Sequence, residues 1–308
     1  MTHVPRPPSG EQIELALEHQ AAVVVEVGGG LRTYAAGGRE LLDGYGTDEM
    51  SSAGRGQVLL PWPNRIRDGS YEFDGQRHQL PINDVPERDA IHGLVRWTAW
   101  SVGEREANRV VMHQDVHPQP GYPFSLDVDI EYLLVDEGLR VRTTTTNVGA
   151  GPCPYGCGAH PYLKLGTQKV DPLTLRAPGR TVLLSDERGI PVSSKSVEGT
   201  DYDFREPRPI SSTELDNAFT DLERDGDGLA RVSLRNPGDG SGVTLWVDGT
   251  YPYLMLFTGD SLPEVDRRRG LAVEPMSCPP NAFRTGKSLI RLEPGQSFTS
   301  TWGIESGP

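Results

Sequence analysis

The sequence predicts an all-β protein, built as one large antiparallel β-sandwich. Three observations carry this reading. The 308 residues include 36 glycines and 26 prolines, about a fifth of the chain against a usual share of about 12% for the pair, and that density of breakers excludes a mainly helical protein. Strand-type alternation bounded by turn residues recurs along the whole length at hairpin spacing. The sequence also carries no long amphipathic helical pattern, clear internal repeat or low-complexity linker.

The elements follow in order. Ile13 to Val27 reads as a hairpin. Tyr71-Glu72-Phe73-Asp74-Gly75-Gln76 reads as a second, because Asp-Gly suits a type I′ turn. Thr98 to Val116 forms a third, turning near Ala107-Asn108. The clearest signal runs from Phe124 to Val148, where Phe124, Leu126, Val128, Ile130, Tyr132 and Leu134 alternate with polar residues. After a turn at Asp136-Glu137-Gly138 the pattern resumes with Leu139, Val141, Thr143 and Thr145, which predicts a long hairpin with one wet face. Leu173 to Leu184 and Val243 to Phe257 are expected to form further hairpins. A chain of this length can bury an ample core without disulfides or metals. The expected organisation is a flexible segment at 1–10 and a single domain over 11–308.

A formal net charge of −13 and a pI near 5.0 argue against nucleic acid or an anionic membrane as partner, since both require clustered Lys and Arg. No apolar run approaches the roughly 18 residues of a membrane span, and Met1 to Gly10 lacks a signal peptide's apolar core, so the expected location is cytoplasmic. Cys153, Cys157 and Cys278 are an odd number in a long chain, which fits a reducing compartment. A metal site made from Cys153, Cys157 and His160 lacks a fourth ligand and the tight pairing that structural zinc requires, so no metal is expected there.

Three short segments present a proton-transferring side chain where the local sequence restricts the backbone. They are Ala90-Ile91-His92-Gly93-Leu94, Gly158-Ala159-His160-Pro161-Tyr162-Leu163 and Leu271-Ala272-Val273-Glu274-Pro275. His160 and Glu274 each precede a proline, whose ring pushes its predecessor toward an extended conformation and so toward a strand end. Period-2 alternation sets Leu271 and Val273 on one face and Ala272 and Glu274 on the other, so the carboxylate projects opposite a packing face. Gly93 permits a close approach to the backbone beside His92. Taken singly, each residue has a structural reading too: a loop histidine before glycine, a histidine in a turn, a carboxylate paired with an arginine. His113 and His117, four apart, are about 13 Å apart on a strand, too far to share an ion, and read as strand-surface residues.

The flanking words narrow the choice. Asn64-Arg65-Ile66-Arg67-Asp68-Gly69, Ile91-His92-Gly93-Leu94, Gly158-Ala159-His160-Pro161-Tyr162, Leu215-Asp216-Asn217-Ala218-Phe219 and Glu274-Pro275-Met276-Ser277-Cys278-Pro279-Pro280-Asn281-Ala282-Phe283 occur in this order. Their order and content resemble the aldose 1-epimerase (galactose mutarotase) family. The resemblance runs from about Glu11 to the end, closing with Leu292-Glu293-Pro294-Gly295-Gln296. It implies a β-sandwich of galactose mutarotase type and a cofactor-free isomerase that interconverts the anomers of a free aldose, with a monosaccharide as its partner and a monomer or homodimer as its state. Position by position, it implies Glu274 as general base, His160 as general acid, His92 and Arg65 as groups that bind or polarise the sugar, and Asp216 as the acceptor of sugar hydroxyls.

The chemistry agrees with the residue types. Anomer exchange removes the C1 hydroxyl proton and protonates the ring oxygen, so one carboxylate and one imidazolium suffice, with roles reversed on closure. A second histidine and an arginine hold the oxygens and oppose developing charge. Trp62 and Tyr162 are expected to stack on the sugar's C–H face, and Phe283 to stack there or pack the sandwich edge. Arg67, Arg96 and Lys164 lie near the motifs. Some members of the family act on phosphorylated or sulfonated hexoses, so an anionic hexose is an alternative substrate. Cys278 and Pro279-Pro280 stand where many relatives carry threonine-proline, which bears on pocket shape and substrate rather than on the reaction. A non-catalytic carbohydrate-binding module on the same fold is the rival from another class. A cupin-type metal enzyme is opposed by the lack of a close His-x-His pair.

Overall fold

The computed structural model describes residues 6–307. Two antiparallel sheets dominate. One has nine strands, in the spatial order Ser101–Arg105, Arg109–Val116, Leu126–Val135, Gly138–Asn147, Ser297–Gly307, Gly242–Val247, Ala230–Arg235, Thr174–Arg176 and Arg208–Pro209. The other runs Pro191–Ser196, Gly179–Ser185, Asp216–Leu222, Tyr253–Phe257, Leu271–Met276, Gly158–Ala159 and Val58–Leu59, with Tyr162–Leu163 also pairing to Leu271–Met276. A four-stranded N-terminal sheet spans Gln12 to Glu40.

Alternation explains the core. Leu126, Val128, Ile130, Tyr132 and Leu134 are all buried, as are Leu139 and Val141 across the hairpin, while the intervening residues are partly or fully exposed. These side chains join Leu254, Leu256, Leu271 and Val273 of the facing sheet in one cluster. Each buried aliphatic side chain contributes about 1.5–3 kcal/mol. The Asp74-Gly75 turn has positive φ at both residues, +50° and +75°, as a type I′ turn requires. Helix is confined to Ala282–Thr285 and a 3-10 turn at Arg67–Gly69 among the described residues.

Two expected hairpins are corrected. Thr174–Arg176 pairs within the nine-stranded sheet and Gly179–Ser185 within the eight-stranded one. Gly242–Val247 and Tyr253–Phe257 are divided in the same way. In both places a short segment with proline (Ala177-Pro178, and Tyr251-Pro252) carries the chain across to the opposite layer, so the strands face one another instead of pairing. Of the N-terminal segment, residues 1–5 lie outside the described residues. Ser9 is fully buried and its carbonyl accepts the Val27 N–H, so ordered structure precedes Glu11. All three cysteines are buried free thiols.

Candidate active site

The pleat of the eight-stranded sheet assembles one wall of the site. Asp216 opposes Phe257, and Met255 opposes Glu274, so these four side chains share a face. The neighbouring strand residues on that face, Ala218, Tyr253 and Met276, form with Leu183 a small cluster separate from the main core. Glu274 therefore projects away from the inter-sheet core, as the alternation at Leu271 to Glu274 predicts.

Loops supply the rest. His92 follows the two-residue strand Ala90–Ile91, which pairs with Arg65–Ile66. Its φ is +62°, and its main-chain N–H donates to the Asn64 carbonyl at 3.0 Å. The Asn64 N–H donates in turn to Nδ1 of His92 at 3.2 Å, which leaves Nε2 of the neutral ring as the N–H donor. Gly93 is needed here because a Cβ at that position would lie 2.0 Å from the Leu60 carbonyl oxygen. His160 sits between the strands Gly158–Ala159 and Tyr162–Leu163, with its N–H donating to Gln57 and its carbonyl accepting from Gly56.

These elements enclose a cavity of about 520 Å³ lined by, among others, Arg65, His92, Arg96, His160, Asp216 and Glu274. At its floor Nε2 of His160 lies 3.4 Å from Oε1 of Glu274, with both side chains nearly closed to solvent. The rings of His92 and His160 meet edge to face at 5.3 Å. Nδ1 of His160 and Oε2 of Glu274 are buried and make no hydrogen bond within the protein. Arg65 donates through Nε to Asp84 at 2.7 Å.

Burial sets the protonation of this group. It raises the Glu274 carboxyl well above its ordinary value, with Asp216 adding and Arg65 opposing. It pushes His160 down to about 3, opposed by the residue's own main-chain dipole and assisted by Arg96 and Arg55. His92 is lowered well below its usual range by burial, then by His160, Arg96 and Arg65. Burial thus favours the neutral imidazole of His160 at rest. Asp216 opens onto the cavity but has protein on most sides, and the loss of bulk water raises it, with Arg65 opposing and Asp260 adding.

The structure brings Arg65, His92, His160, Asp216 and Glu274 together around one cavity. It does not bring Trp62 or Tyr162 to the cavity wall. Trp62 is 2% exposed and packs edge-on against Phe283 at 5.7 Å, inside the core. Tyr162 is equally buried, stacks on His160 and donates its hydroxyl to the Ala53 carbonyl. The aromatic surfaces facing the cavity are Trp97 and Phe257. Sequence reasoning missed both, although Trp97 is 54% exposed and lies three residues after the His92-Gly93-Leu94 word. Arg67 is consumed by Asp186, and Lys164 pairs with Glu40, so of the three basic residues near the motifs only Arg96 lines the cavity. His92, His160 and Glu274 each offer a ligand atom, all within 4.8 Å of one another. A borderline cation such as zinc would find a His-His-Glu set there. The second such group, His113 with Asp115 and Asp127, does not involve His117 and lies on the sheet surface.

The large antiparallel sandwich places the chain among galactose mutarotase-like folds. A solved GalM/aldose epimerase homologue from C. elegans superposes with a TM-score of 0.86 at 20% identity, covering 96% of this chain and 98% of that one. A solved aldose 1-epimerase-like protein from Escherichia coli K12 gives 0.83 at 21% identity, covering 96% and 99%. The chain belongs to the aldose 1-epimerase family, whose pattern it matches over residues 11–305. It is 36% identical over 289 residues to the Escherichia coli K12 protein YihR, an uncharacterized protein, covering 94% of this chain and 91% of that one. It is 28% identical over 296 residues to the aldose 1-epimerase of the same organism, covering 85% and 83%.

Proposed function

We propose that the protein is an aldose 1-epimerase that interconverts the α and β anomers of a hexose by acid–base ring opening and closure, without a cofactor. The observation that carries this is the 3.4 Å approach of His160 Nε2 to Glu274 Oε1 at the floor of an open polar cavity. The two groups need one proton between them. At rest it sits on Glu274, whose carboxyl is raised by burial. Its transfer to His160 yields the carboxylate that takes the C1 hydroxyl proton and the imidazolium that gives a proton to the ring oxygen. The C1–O5 bond then opens to the aldehyde, rotation about C1–C2 exposes the other face, and the same two groups exchange roles as the ring closes. The Nε2–H of His92 and the Arg65 guanidinium face the same space and oppose charge on the ring oxygen. Asp216 accepts sugar hydroxyls, and Trp97 and Phe257 offer apolar surface to the C–H face.

Arg96 favours an anionic hexose as a second reading of the substrate. Its guanidinium donates to the Gln57 side chain and the Ile91 carbonyl and has no carboxylate within ion-pair distance among the described residues. Burial lowers it to about 10, with Asp84 opposing. A partly buried cation that lines a cavity and makes no ion pair is suited to a phosphate or sulfonate. Anomer-exchange NMR on glucose, galactose, a hexose 6-phosphate and a 6-sulfonated hexose, with wild type and Arg96→Gln, tests both points. Faster exchange of any of them supports the epimerase, and a loss in the variant confined to the anionic sugars supports the second reading. Saturable sugar binding with no acceleration of any anomer would instead make the protein a binding module.

A further inference from the structure

Catalytic histidines are commonly oriented by a hydrogen bond to the ring nitrogen remote from the substrate. His160 has no such partner, since its Nδ1 makes no hydrogen bond within the protein. Its ring is held by contact instead. Tyr162 stacks on it with centroids 5.1 Å apart and planes inclined by 15°. The Arg55 guanidinium lies over the same Tyr162 ring at 5.0 Å. Arg55 donates through Nε to Asp43 at 3.0 Å, an ion pair with side-chain exposures of 2% and 0%. The second Asp43 oxygen accepts from Arg269 at 2.8 Å, and Arg269 also pairs with Asp266.

The backbone beside Arg55 touches the same two rings. The Ala53 carbonyl accepts the Tyr162 hydroxyl at 2.8 Å. Gly54, at φ +79°, lies so close that a Cβ there would be 2.5 Å from Cδ2 of His160. The Asp43 N–H donates to the Tyr162 carbonyl at 2.8 Å. A buried ion pair adds little net stability over a well-packed apolar pair, so its place behind Tyr162 calls for another role.

We propose that Arg55, anchored by Asp43, is a positioning residue that acts through Tyr162 and the 53–55 backbone to fix the His160 ring with Nε2 toward Glu274. This rests on the acid–base reading above. The charged and titratable groups around His160 are Glu274 at Nε2, His92 edge-on, Arg96 at the cavity wall and Arg55 behind Tyr162, while Arg65 and Asp216 act on Glu274. Arg55 adds to burial in disfavouring the imidazolium.

The test uses an Asp43→Leu/Arg55→Leu double variant, which strands no lone charge at the pair and leaves Arg269 with Asp266, alongside Arg55→Lys, which keeps the charge but not the guanidinium over the Tyr162 ring. Melting, kcat and KM for anomer exchange, and the ring NMR signals of His160 at one fixed pH are measured. In the double variant kcat is expected to fall roughly 10- to 100-fold with KM little changed, and the His160 ring signals to shift and broaden as the ring gains freedom. In Arg55→Lys kcat falls with KM little changed. A folded double variant with wild-type kcat and wild-type ring signals overturns the proposal. Should that variant not fold, Arg55→Lys decides, and wild-type kcat there overturns it. If the wild-type protein accelerates no anomer exchange, the epimerase reading fails, while the ring signals still report whether Arg55 holds the His160 ring.

Discussion

Replacing Glu274 by glutamine separates chemistry from folding, because the structure assigns the two effects opposite signs. The amide keeps the shape of the carboxyl but can neither take the hydroxyl proton nor hold the proton the pair shares, so kcat for anomer exchange is expected to fall about 10²- to 10⁴-fold. Stability should move the other way. Glu274 is 2% exposed and its Oε2 lacks a partner, and burial raises its carboxyl well above 4.5. Between the unfolded and folded values the native state binds more protons than the unfolded chain, so wild-type stability falls as pH rises through that window. Glutamine removes this dependence. The variant's advantage should grow by about 1.4 kcal/mol per pH unit above 4.5 until the native carboxyl ionises, or about 2 °C in Tm per kcal/mol. Polarimetry on a freshly dissolved anomer and thermal melts from pH 5 to 8 give both readouts. Relaxation of the rotation at the wild-type rate would refute the assignment of Glu274. A variant that loses both activity and stability would show that the carboxyl serves the fold.

Two further outcomes follow from the same geometry. Gly54→Ala sets a methyl group 2.5 Å from Cδ2 and 2.7 Å from Nε2 of His160, so kcat should drop about 10²-fold at a stability cost of about 1–3 kcal/mol. A variant with wild-type kcat would mean that the ring has room to move. Burial lowers His160 to about 3 from 6.5, so below pH 6.5 the unfolded chain binds the extra proton and native stability falls with acidification, by about 1.4 kcal/mol per pH unit from this residue. Urea unfolding between pH 4 and 7 should therefore show a shallower acid loss in His160→Asn than in wild type, and an unchanged slope would contradict the buried neutral ring.

Local patterns were legible where a single physical rule decided them. Alternation from Leu126 to Leu134 sets which side chains enter the core, and Asp74-Gly75 sets its turn, because each depends on neighbours within a few residues. The face of Glu274 was readable for the same reason. The hairpins expected at 173–184 and 243–257 failed because alternation says that a segment is a strand but not which sheet it joins. Pairing partners are chosen by burial across the whole sandwich. Trp62 and Tyr162 carried the same limit: an aromatic beside a motif is apolar surface, and only packing decides whether it faces the core or the cavity.

The sequence by itself determined the class of fold, the residue types that can exchange a proton and, through ordered motifs, the family. Tertiary structure decided what those residues become. It brought His160 within 3.4 Å of Glu274, left Arg96 at the cavity wall with no carboxylate within ion-pair distance among the described residues, and set Arg55 and Asp43, unremarkable in the chain, behind Tyr162. The physical reason is that proton affinity and ring orientation depend on desolvation and contacts from segments more than 100 residues apart, and those exist only once the sheets have packed.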